Sequence, residues 1–317
     1  MANKPAGKKT AKEIKQEKNN RLMIILLAIF LVGTMVLVPL AVLFNPSPIQ
    51  GGSTDTDKDK FNSIVDALYA VPQGVEYMRF VNLTASERIS NWTMTNLGGS
   101  VADNAVFGQR PVKDAIAFYP FPTFGYFDVY QQWVSLADFG QDYDNKSYAL
   151  SSVNGISMRM ITNEYAFTTG KPVISGRKES VAAVKNFLTY GSSSQSGYTA
   201  YSDLFQQIAA RNQTAKDAKF AIVGQTSTFG VGDRYYAGLT PLNDTMCDYK
   251  IVVHLNQSLN LTEQQRYAAT WTAAAMQFGL DSFSPEFTDN YLIVEAKGSP
   301  EICLNDLVTN WPLFVRA

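Results

Sequence analysis

The sequence predicts an α+β fold with antiparallel sheet, held outside a membrane by a single N-terminal transmembrane helix. Three observations predict it. Residues 22–44 hold 23 positions without one charge. After a polar linker, apolar residues alternate at strand spacing in several short segments and recur at helical spacing in others. In both halves of that outer part, strand pairs are followed by helix–strand or strand–helix units. That order suits helices packed on one face of a largely antiparallel sheet.

Residues 1–21 form a basic tail, with seven Lys/Arg against Glu13 and Glu17, a net +5. Residues 22–44 follow as the membrane helix. At about 1.5 Å per residue they span roughly 34 Å, enough for a hydrocarbon core of about 30 Å. A cleaved signal peptide would have a shorter apolar core and a small-residue cleavage site. Here the stretch ends Ala41-Val42-Leu43-Phe44-Asn45-Pro46, with no A-x-A pattern, so an uncleaved anchor is expected. The positive-inside rule keeps the tail in the cytoplasm and places the C-terminal part outside the cell. Residues 45–60, rich in Pro, Gly, Ser, Thr and Asp, read as a flexible stalk.

Two α+β modules follow, residues 61–216 and 217–317, with a ferredoxin-like arrangement as the specific expectation. In the first, Phe61–Ala70 reads as a helix broken by Val71-Pro72-Gln73-Gly74. Val75–Leu83 and Asp114–Tyr119 read as strands. Ser147–Val153 and Ile156–Ile161 flank Asn154-Gly155, a strong hairpin signal. Pro172–Ser175 is a further strand, running into a helix over Arg177–Leu188, and Tyr201–Arg211 is a second helix. In the second module, Phe220–Val223, Tyr249–Leu255 and Asn290–Glu295 are strands rich in β-branched residues. Thr262-Glu263-Gln264-Gln265 has the capping-box form and opens a helix to Phe278. Ser299 before Pro300 starts the last helix.

Charge and cysteine use agree with an outward-facing body. The net charge of −1 is the sum of a +5 tail and a −6 remainder, the latter with 20 Lys/Arg against 26 Asp/Glu. No basic surface for nucleic acid is expected. Seven N-x-[ST] sequons lie beyond the anchor: Asn82, Asn91, Asn145, Asn212, Asn243, Asn256 and Asn260. Chance would give about two or three among the 17 Asn there, so a glycosylated exterior is expected. Both cysteines, Cys247 and Cys303, lie in the outer part, where a disulfide suits an oxidising compartment. Two buried free thiols are the alternative. The basic tail, uncharged anchor and sequon-bearing acidic exterior resemble archaeal surface proteins in style.

One histidine and two cysteines exclude zinc fingers, Fe–S clusters and multi-histidine metal sites. No P-loop is present, and Gly230-Val-Gly232 lacks the third glycine of a dinucleotide loop. No cofactor is expected. Asp55, Asp57, Asp59 and Asp66 match four positions of a calcium loop, but Lys60 stands where Gly is needed. They read as solvated linker, and Asp138, Asp142 and Asp144 read as a surface loop. His254, inside Ile251–Leu255, is the sole imidazole base, and no GxSxG elbow accompanies it.

Half of residues 118–133 are aromatic: Phe118, Tyr119, Phe121, Phe124, Tyr126, Phe127, Tyr130 and Trp133. Packing into the core of the first module is the more economical reading. The functional one is an exposed surface for a glycan or a partner. The chain thus reads as a membrane-anchored, non-catalytic binding or envelope glycoprotein. Its partners are lipid around residues 22–44 and a protein or glycan outside the cell. The alternative is an exported carboxylate-based hydrolase acting on glycans.

Overall fold

The structure, a computed structural model, describes residues 61–97, 106–119, 132–211, 213–225 and 231–310. The expected tail, membrane helix and stalk lie outside these residues. Among the described residues no helix is long and apolar enough to cross a membrane. The described residues all fall within one compact unit.

That unit is α+β and built on one large antiparallel sheet. Its strands are β1 Tyr77–Asn82, β2 Lys113–Tyr119, β3 Gln132–Asp138, β4 Ala149–Val153, β5 Ile156–Met160 and β6 Tyr165–Phe167. The chain continues through β7 Val173–Arg177, β8 Phe220–Gln225, β9 Gly232–Pro241, β10 Cys247–Leu255, β11 Ser282–Thr288 and β12 Tyr291–Gly298. Their spatial order is β11-β12-β10-β9-β8-β1-β2-β3-β7-β6-β5-β4. The sheet runs on across the expected 216/217 boundary, because β1 pairs with β8 from Tyr77–Gly224 to Val81–Phe220. Each strand thereby covers what would otherwise be an open edge of its neighbour.

Among the described residues, six α-helices flank the sheet: α1 Ile64–Tyr69, α2 Glu87–Asn96, α3 Lys178–Tyr190, α4 Ser202–Ala209, α5 Leu261–Gln277 and α6 Pro300–Asn305. They occupy both faces, where the sequence pattern suggested one. Alternation along the strands explains the division. In β1, Met78 and Phe80 join a core containing Leu68 of α1, Val181 of α3 and Leu204 of α4. Val81 points the other way, into a core with Trp92 of α2, Trp271 of α5 and Leu304 of α6. A small third cluster packs Phe107, Phe139, Tyr143 and Phe167 edge to face or stacked, with the Tyr143 hydroxyl donating to the Phe107 carbonyl at 2.7 Å.

Local signals set several boundaries. Ser63 caps α1, its hydroxyl accepting from the Asp66 N–H. Asn154 and Gly155 take φ of 50° and 79°, the left-handed pair that turns β4 into β5. The capping box of α5 sits two residues earlier than the Thr262/Gln265 reading. Asn260 is the cap and Glu263 the reciprocating residue, each bond 3.0 Å. Asn is at least as good a cap as Thr, and its choice leaves Leu261 as the first helical residue. Pro300 opens α6 as expected, though the Ser299 side chain makes no capping bond.

Candidate functional site

Three members of the aromatic run are described, and strand alternation separates them. Tyr119, the last residue of β2, packs against the core beneath α1, and its hydroxyl donates to the Pro72 carbonyl at 3.4 Å. Burial pushes that phenol well above its ordinary range. Phe118 and Trp133 lie on the opposite face and are register partners across β2 and β3. Phe121, Phe124, Tyr126, Phe127 and Tyr130 lie outside the described residues.

Phe118 and Trp133 belong to a row that crosses the sheet. Tyr77 is the register partner of Phe118 on β1, their rings 5.7 Å apart. On the other side, the Trp133 ring stacks on Tyr165 of β6 at 6.1 Å and 25°. Gly224 pairs with both Tyr77 and Tyr235. A Cβ at Gly224 would lie 2.6 Å from the Tyr235 ring, so that glycine lets the ring lie over β8. Gly176, at φ 150°, makes similar room between β7 and β3, where a Cβ would lie 2.7 Å from the Trp133 carbonyl oxygen. Four rings of this row, Tyr77, Phe118, Trp133 and Tyr165, are half-buried, and Tyr235 is buried. Cross-strand aromatic pairs contribute about 0.2–1 kcal/mol each to the sheet. The part of these rings that remains accessible is apolar.

Four residues along β2 from Phe118, on the same face, lies a buried polar group. Asp114 accepts from the Ser135 hydroxyl at 2.9 Å and from Arg79 at 3.4 Å. Burial raises the Asp114 carboxyl above the usual carboxylate range, against the pull of the Arg79 charge and the Ser135 hydrogen bond. The Arg79 Nε is buried without a hydrogen-bond partner.

The lone histidine lies on the other face, as alternation with Val253 and Leu255 requires. The ring Nδ1 of His254 is 2.8 Å from Asp233. The neighbouring Arg234 donates to Asp203 at 3.0 Å and to the Ala200 carbonyl at 2.8 Å. Tyr291 donates to the other Asp203 oxygen at 2.8 Å, and its phenol is pushed up to about 12, first by burial and then by that hydrogen bond. These contacts tie α4 to β9, β10 and β12. They form a structural clamp around the imidazole.

The acidic residues are likewise engaged by cations. Asp66 accepts from the Asn62 N–H at 3.0 Å and lies 3.7 Å from Lys216, whereas Asp55, Asp57 and Asp59 lie outside the described residues. Asp138 sits 3.1 Å from Lys171 and 3.6 Å from Lys113. Arg159 grips Asp144 through two hydrogen bonds of 2.9 and 3.0 Å, which hold that carboxyl below its ordinary range. Asp142 is exposed. Among the described residues no group of three or more metal-ligating side chains gathers at one point.

The sequons fall on varied surface. Asn91, Asn243, Asn256 and Asn260 are exposed, Asn82 and Asn145 are half-buried, and Asn212 lies outside the described residues. Asn82 and Asn243 each accept the hydroxyl of their own sequon threonine, Thr84 at 2.9 Å and Thr245 at 3.0 Å. Cys247 and Cys303 are both buried, and no bond joins their sulfurs in this structure.

Tyr77, Tyr165 and Tyr235 are the members of the row that the sequence did not single out. Each stands alone in its own segment and reaches the row only through strand pairing.

No family model matches the chain, and no curated protein sequence matches it. Among solved structures, crystal form III of TP0453 is similar at 12% identity, covering 76% of this chain and 96% of that one, with a TM-score of 0.46. Crystal form IV of TP0453 is similar at 11% identity over 78% and 97%, with a TM-score of 0.45.

Proposed function

We propose that the protein is a membrane-anchored, surface-exposed glycoprotein with a non-catalytic binding role, and that the aromatic row is its contact surface. Residues 22–44 hold lipid, the basic tail stays in the cytoplasm, and the α+β body faces outward. The expectation of one transmembrane helix ahead of the α+β body belongs to this same reading. The observation that carries the binding role is the row of half-buried rings from Tyr77 to Tyr165. β2 ends at Tyr119 and β3 begins at Gln132, at the end of the sheet that carries the row. Flat aromatic faces suit the apolar face of a sugar ring or an apolar side chain of a protein. Support for the outward placement comes from the charge partition, the uncharged 23-residue stretch and the exposed sequons. The hydrolase alternative finds less support here, since Asp114, on the face of the row, is bound to Arg79 and Ser135.

Protease shaving of intact cells, combined with a glycan stain, tests the placement. The C-terminal body is expected to be cleaved from outside and to carry glycan. A protected, unglycosylated body sinks the reading. For the surface itself, the variant Phe118→Ser/Trp133→Ser is compared with wild type on glycan arrays and in cross-linking to cell-surface proteins. A loss of bound partner of about tenfold or more is expected, from two aromatic contacts at about 0.5–1.5 kcal/mol each. Unchanged binding by a folded variant removes the row from the function.

A further inference from the structure

Cys247 begins β10 and Cys303 lies in α6, far apart in sequence and both fully buried in the same core. The register of the sheet brings them together. Cys247 is the partner of Gly298, the last residue of β12. Partners across an antiparallel pair place their Cβ positions on one face, about 4.5–5.5 Å apart. A Cβ at Gly298 would lie 3.2 Å from the Cys303 sulfur. The Cys303 thiol, with the Leu280 side chain, therefore borders the space that a side chain at 298 would fill, at the position across from Cys247. A larger residue at 298 would separate them. Burial raises both thiols above their ordinary range, and Cys247 is the next contribution at Cys303.

We propose that Cys247 and Cys303 are a disulfide site, closed during folding by exchange with an oxidised thiol–disulfide oxidoreductase or glutathione disulfide. For its oxidant the proposal rests on the outward placement argued above. Two S–H bonds are lost and one S–S bond forms. The two electrons and two protons reduce the incoming disulfide to two thiols. The bond covalently fastens α6 to the adjoining ends of β10 and β12. Its timing follows from burial. Thiolate is the attacking species, and burial holds Cys247 up to about 12. Exchange is therefore fast while α6 is undocked and at least about tenfold slower once it has packed.

The test uses the full chain in detergent micelles. The protein is unfolded in guanidinium, refolded by dilution into a glutathione redox buffer, and treated with maleimide under denaturing conditions. The expected product takes no maleimide, yields a linked pair of tryptic peptides that reductant separates, and melts about 10 °C above the reduced form. Cys247→Ala/Cys303→Ala, expected to fold and to melt like the reduced wild type, controls for loss of packing. Refolded wild type that takes two maleimides per chain, with the same melting temperature in oxidising and reducing buffer, overturns the proposal. Protein taken directly from cells separates the two readings. Free thiols there, with a bond formed on refolding, count against the outward placement and leave the disulfide site standing.

Discussion

Asp114 shows how a single residue is held against its own preference. It is buried, and the hydrogen bonds from Ser135 and Arg79 offset part of the desolvation cost. Removing one partner leaves the other charge buried alone. Asp114→Ala is expected to destabilise the protein by about 3–5 kcal/mol, measured by urea unfolding. Adding Arg79→Met removes the stranded guanidinium as well and is expected to restore most of that loss. A double variant no more stable than Asp114→Ala would show that the pair contributes through something other than charge. His254 makes the contrasting case. It looked like the one residue able to act as a base, yet its contact with Asp233 sits within a clamp holding α4 against three strands.

At the scale of elements, local chemistry decides some boundaries outright. The cap of α5 is the sharpest test, because two neighbouring residues compete for it. Asn260 accepts from the Glu263 N–H, and Glu263 accepts from the Asn260 N–H. Asn260→Ala is expected to cost about 1 kcal/mol in thermal or chemical unfolding, and Thr262→Ala within about 0.5 kcal/mol of nothing. The reverse order would restore the cap to Thr262. The β4–β5 hairpin was legible because Asn154-Gly155 demands one turn type, and α6 because Pro300 can only begin a helix. Other elements were not legible, for physical reasons. β9 carries Gly232 and Gly238, and β11 carries Pro285; each weakens a strand signal, and each is tolerated by its position. β11 is the sheet edge, and a Cβ at Gly238 would collide with the Tyr236 hydroxyl. β3 begins at the end of a proline-bearing aromatic run and was lost in it. The candidate site was half legible. Phe118 and Trp133 stand in a conspicuous cluster, whereas Tyr77, Tyr165 and Tyr235 join them only through register, which composition does not reveal.

Across the whole molecule, the sheet decides how the body unfolds. The sequence divides at 216/217 into two similar plans, and two independent modules would melt separately. The pairing of β1 with β8 joins residues of both halves through five register pairs in the middle of the sheet. Each face is also shared. Val81, Ile89 and Trp92 from the first half pack with Tyr249, Trp271 and Leu304 from the second. On the other face, Ala221, Val223, Tyr236, Val252 and Ile293 pack with Met78 and Phe80. Separating the halves would expose both apolar faces near the junction and leave β1 and β8 as open edges. Unfolding is therefore expected to be a single cooperative step over the described body. Circular dichroism, tryptophan fluorescence from Trp92, Trp133 and Trp271, and calorimetry are expected to give coincident midpoints. Val81→Ser, which touches only the shared core, is expected to lower every midpoint together. Two transitions, with only one moved by Val81→Ser, would show that the halves fold as separate modules despite the continuous sheet.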